Sequence, residues 1–82
     1  MQTQVEFIND DIDQAKCGNW EVYYNKCKSY GYFQNVKTGD EEQSGGLFFE
    51  GSILIDYDGM IEIPKKVIQI IIAMGFTNGL NS

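Results

Sequence analysis

The 82-residue chain is long enough for one domain with one modest core, because a chain of this size buries only about 60 to 65 per cent of the surface that its unfolded form exposes. At 43% hydrophobic residues, with five Tyr, five Phe and one Trp, it is too apolar to be a disordered chain. Twelve acidic against six basic side chains give a net charge of −6, which repels a phosphate backbone and argues against direct nucleic-acid binding.

In chain order, "MQTQVEFINDD" lacks a basic segment followed by an apolar one, and no apolar stretch approaches the ~20 residues that cross a bilayer. The expectation is a soluble, cytoplasmic protein without a membrane partner. "NDDIDQAKCG" has Asn9 as a cap, Asp10, Asp11 and Asp13 where negative charge suits a helix dipole, and Gly18 where a helix ends, which predicts a short N-terminal helix. "NWEVYYN" and "SYGYFQNV" are rich in β-branched and aromatic residues and predict a hairpin joined through "KCK". If "NWEVYYN" is extended, Cys17 and Cys27 stand roughly 30 Å apart, too far for a disulfide. Two free thiols in a reducing compartment follow.

"KTGDEEQSGG", residues 37–46, holds three glycines, three acids and no large apolar side chain, and is expected to be the longest mobile loop. "LFFEGSILIDY" and "MIEI" read as strands, with Gly51-Ser52 a bend or bulge and Asp58-Gly59 the hairpin turn. That turn sets Tyr57 against Met60 and Asp56 against Ile61, and makes Ile53, Ile55, Tyr57 and Met60 the better core face, leaving Leu54, Ile61 and Ile63 on the other. In "PKKVIQIIIAMG" the β-branched residues favour strand. Helical spacing, however, gathers Val67, Ile68, Ile70, Ile71, Ile72 and Met74 into one arc, and Pro64 and Gly75 suit the two ends of a helix. The helix is the preferred reading. Together these elements predict an α+β fold, an antiparallel sheet of four or five strands with the C-terminal helix packed on one face and a short N-terminal helix.

For chemistry the residues offer little. The absence of His removes the commonest general base, and the carboxylate sets on offer are Asp56 with Glu62, or Asp10 with Asp13. A small enzyme would need a concave pocket lined by Asp56, Glu62 or Cys27. "DYDG" lacks the further ligands of a calcium loop, the cysteines lack zinc spacing, and Gly45-Gly46 lack the Lys and Ser/Thr of a phosphate loop. No catalytic residue, metal or cofactor is expected.

Two features suggest protein binding. Trp20, Tyr23, Tyr24, Tyr30, Tyr32 and Phe33 crowd into fourteen residues, and strand alternation sends some of them away from the core, either merely to cover a sheet or to anchor an interface. The acids come in groups, Asp40, Glu41 and Glu42 among them, and form either a solvated face or an imitation of duplex phosphates that occupies a basic surface. The candidate partner-binding residues are Trp20, Tyr23, Tyr30, Tyr32, Asp40, Glu41 and Glu42. The expected partner is another protein with a basic or apolar groove, and a homodimer follows if the second sheet face is left uncovered.

The run from Tyr30 to Phe76, with its aromatic strand, glycine-rich loop, "DYDG" and proline-started helix, resembles small acidic orphan proteins of phages and other mobile elements. The resemblance implies an inhibitor that binds and blocks a host enzyme or defence complex, as antirestriction and anti-CRISPR proteins do. An antitoxin or immunity protein is the competing class.

Overall fold

The computed structural model describes residues 5–10, 13–38 and 41–80. Within them seven strands lie in chain order in one sheet: β1 (Glu6–Phe7), β2 (Gln14–Cys17), β3 (Trp20–Asn25), β4 (Tyr30–Asn35), β5 (Ser44–Glu50), β6 (Ile53–Gly59) and β7 (Thr77–Asn78). Neighbours from β1 to β6 are antiparallel, and β7 returns parallel to β6 after α1 (Lys65–Ala73). The helix touches β2, β3 and β7. In a flat sheet β3 and β7 would stand four strand spacings, roughly 19 Å, apart, beyond the reach of a helix about 10 Å across. The sheet therefore curls into a half-barrel, with α1 on its inner face.

That inner face is the core. Ala15, Cys17, Val22, Phe33, Leu47 and Leu54 from the strands meet Val67, Ile70 and Ile71 from α1, all fully buried. Tyr24, Phe49 and Phe76 close one end of it, with ring centroids 4.4 to 5.1 Å apart. The helix is the predicted one. Pro64 stands at its N-cap, and a Schellman motif ends it: Gly75 N–H donates to the Ile72 carbonyl (3.0 Å) and Phe76 N–H to that of Ile71 (2.9 Å), with Gly75 at φ 99°. This same motif delivers Phe76 into the core.

The fold class expected from the sequence is overturned: the chain is mostly strand, with seven strands in a mixed sheet and no N-terminal helix in the described residues. Gln14–Cys17 is β2, because Ala15 and Cys17 alternate with Gln14 and Lys16 and send their side chains inward at period two. Gly18, at φ 62°, is not a helix end but the first residue of the β2–β3 turn, where primed hairpin turns require positive φ. Asp11, one of the expected first-turn acids, lies outside the described residues. Asn9 and Asp13 instead bond side chain to side chain across the β1–β2 connection.

The Asp58-Gly59 turn is also absent. β6 runs straight through "DYDG", with Asp58 opposite Gly46 and Gly59 opposite Gly45. The turn falls earlier, at Gly51-Ser52, where Gly51 has φ 63°. Residues 60–64 form no strand, so Tyr57 does not face Met60, nor Asp56 Ile61. The expected faces of this stretch are reversed except at Tyr57, which packs against the core as expected: Leu54 is fully buried, whereas Ile53, Ile55 and Met60 are exposed. A bulge explains part of this. Phe48 pairs with Asp56 but Phe49 with Leu54, so Ile55 is the extra residue on β6.

"SGG", expected in a long loop, opens β5 instead. The reason lies in its neighbours. A Cβ on Gly45 would stand 2.5 Å from the Asp58 carbonyl oxygen and 2.9 Å from the Phe33 ring, so Gly45 makes the space that Phe33 fills on the inner face. A Cβ on Gly46 would stand 3.0 Å from the Tyr30 hydroxyl on the outer face. Aromatic rings thus cover both strand glycines, one on each side.

Ser29, closing the four-residue β3–β4 loop, is the described non-glycine residue with positive φ (52°). An L side chain there is strained by about 1 kcal/mol. Ser29→Gly is expected to raise stability by about 0.5 to 1 kcal/mol, and Gly45→Ala to lower it by about 2 to 3 kcal/mol through overpacking, both read as shifts in the urea midpoint at unchanged slope.

Candidate functional site

Alternation along β3, β4 and β5 sends one set of side chains to α1 and the other to the opposite, outer face of the sheet. Register then assembles the outer set. Tyr23 stands opposite Tyr32, and Tyr30 opposite Phe48. Their ring centroids are 5.8 Å and 5.3 Å apart, tilted in both pairs, within the range of favourable aromatic contact. All four rings are more than a third exposed, as are Ile53 and Ile55 on β6. Single exposed apolar side chains are ordinary; a contiguous group of them marks an interaction surface.

The polar surroundings are uneven. Toward β1 and β2 the face satisfies itself: Glu21 Oε1 accepts hydrogen bonds from Gln34 Nε2 (3.2 Å) and Gln14 Nε2 (3.4 Å), and Lys16 pairs with Glu6 at 3.5 Å. Toward β6 the rows end on carboxylates, Asp58 opposite Gly46 and Asp56 opposite Phe48. Asp56 also bends back on its own strand, where Oδ1 accepts from the Tyr57 N–H at 2.8 Å.

The structure brings together Tyr23, Tyr30 and Tyr32 of the residues singled out from the sequence. Trp20 is not with them. It faces inward, half-buried, 6.0 Å from the Phe33 ring, because it shares a strand face with Val22 and Tyr24. Glu42 is exposed in a 3-10 turn, Glu41–Gln43, that leads into β5, while Asp40 and the Glu41 side chain lie outside the described residues. Phe48, Ile55, Asp56 and Asp58 complete the face and were not assigned to it from the sequence. The adjacent phenylalanines of "LFFE" carried a signal, since two neighbours in a strand point to opposite faces.

A cleft of about 660 Å³ opens between β6, the start of α1 and the chain after β7, with Tyr57, Ile63, Ile68 and Leu80 as its apolar lining and Glu62 and Lys65 among its polar groups. It takes in Glu62 but neither Asp56 nor Cys27, so the carboxylate pair considered from the sequence is not assembled there. Both cysteines are free, Cys17 buried and Cys27 exposed. Among the described residues no three Cys, Asp or Glu side chains stand close enough to hold a metal ion, and no helix is long and apolar enough to cross a membrane.

No protein-family model matches the chain, and searches of curated proteins and of solved structures find no match either.

The adjacent residues Tyr23 and Tyr24 test the division of faces. Tyr23→Ala removes an exposed cross-strand partner and is expected to cost about 1 kcal/mol or less. Tyr24→Ala empties a space against Phe49 and Phe76 and is expected to cost about 3 kcal/mol, again by urea unfolding.

Proposed function

We propose that the chain is a small acidic protein-binding module that docks through the outer aromatic face of its sheet. The observation that carries this reading is the contiguous exposure of Tyr23, Tyr30, Tyr32 and Phe48 on the face opposite α1. Tyrosine supplies large, rigid contact area at low entropic cost and is enriched where interfaces concentrate their energy. The resemblance to acidic orphan proteins of phages supports a particular role, that of an inhibitor occupying a host enzyme or defence complex in the cytoplasm. In this role the chain performs no catalysis of its own, and its effect is steric and electrostatic.

The immobilised chain, exposed to lysate of its host cell, is expected to retain a discrete protein. The double variant Tyr23→Ser/Tyr32→Ser, with its fold verified by circular dichroism, is expected to lose at least about 90 per cent of that protein, in keeping with the loss of two central aromatic anchors. Equal retention by the two chains would refute docking through this face.

A further inference from the structure

The outer face is not symmetric in charge, and the asymmetry specifies a partner. Its two aromatic rows run across the strands toward β6 in register. In one, Tyr23 and Tyr32 are followed by Gly46 and then Asp58; in the other, Tyr30 and Phe48 are followed by Asp56. Neighbouring strands are about 4.8 Å apart, so each carboxylate stands one or two spacings from a ring on the same face. β5 and β6 contain three carboxylates and no basic residue, and all six basic residues of the chain are lysines. The lysine that pairs on this face, Lys16, sits at the far end with Glu6.

We propose that this face receives arginine side chains of a basic protein surface, two guanidinium groups lying on the aromatic rows with their N–H forks turned to Asp56 and Asp58. The proposal rests on the docking reading above and names its partner chemistry. A guanidinium is planar, stacks on aromatic rings and presents donors that match a carboxylate two at a time, whereas an ammonium is a strongly hydrated point charge. Gly46 suits the arrangement, because it leaves room for the Tyr30 ring, which lies over it and carries the aromatic surface from Tyr32 toward Asp58. A second copy of the chain is the less favourable occupant. It brings the same carboxylates and a net charge of −6 to the contact, and like charges in register repel.

The test is an amide NMR titration with three capped pentapeptides that carry two arginines, two lysines or two glutamates at alternate positions. The arginine peptide is expected to shift Tyr30, Tyr32, Phe48, Asp56 and Asp58, to bind at least about threefold tighter than the lysine peptide, and to outcompete the glutamate peptide entirely. Asp56→Asn/Asp58→Asn, which keeps an acceptor for the Tyr57 N–H, is expected to weaken it at least about fivefold. Shifts elsewhere, equal binding of arginine and lysine, or an unchanged double variant would overturn the proposal, as would a concentration-dependent dimer that buries these amides. The two readings fail separately. If lysate capture is lost with Tyr23→Ser/Tyr32→Ser but unaffected by Asp56→Asn/Asp58→Asn, docking stands and the arginine assignment falls.

Discussion

A sheet has two faces, and the described residues supply one nine-residue α-helix to cover them. Everything else in the structure follows from how that shortage is met. The inner face curls until strands from both ends of the sheet touch α1, so that Val67, Ile70 and Ile71 fill the space that a longer chain would fill with a second layer. Burial of these side chains and of the strand residues facing them is the main favourable term in a domain of this size. The outer face receives no cover from the described residues. Its apolar content therefore calls for another explanation than core packing.

Curling a sheet this tightly needs places where backbone approaches backbone and where rings reach across strands. Gly45 opposite Gly59 supplies one, beneath Phe33; Gly31, where a Cβ would stand 2.5 Å from the Tyr23 carbonyl oxygen and 3.5 Å from the Phe49 ring, supplies another. The bulge at Ile55 adds local twist to β6 just after its pairing with β7 ends at Leu54. These devices also divide the aromatics. Phe33 and Phe49 find room inward beside Gly45 and Gly31. Tyr30 lies outward over Gly46.

The terminal helix was readable because its signals agree: Pro64 and Gly75 bracket a segment whose apolar residues gather on one side at helical period. Even so, Ile72 within that arc is exposed, since β2, β3 and β7 together cover a narrower stripe than the arc spans. The β3–β4 hairpin was readable for a similar reason, two aromatic runs separated by a polar tetrad. What failed were short elements whose local chemistry suits two states. Four residues, "QAKC", are too few for period to outweigh a run of acids that fits a helix start, and pairing with β3 decides the matter. "DYDG" satisfies the rule for a hairpin turn, yet its glycine is used for contact with Gly45 across the sheet. Local sequence does not carry that partner's identity. The outer site was half legible: alternation implied exposed tyrosines, but which of them meet depends on the register of β3 with β4 and β5.

A sheet protein can recruit another chain along an edge or on a face, and here the edges are poorly suited. β1 and β7 are two residues long, and Glu6 on β1 is tied to Lys16. On β6, beyond its pairing with β7, the backbone N–H of Tyr57 is occupied by the carboxylate of Asp56. A strand docking there would have to displace that bond and accept a carboxylate at its rim, a common defence against edge-to-edge association. The same side chain thus turns partners away from the edge while standing beside Phe48 on the face. With the inner face filled by α1, the tyrosine rows and the carboxylates beside them lie on the face that the described residues leave uncovered.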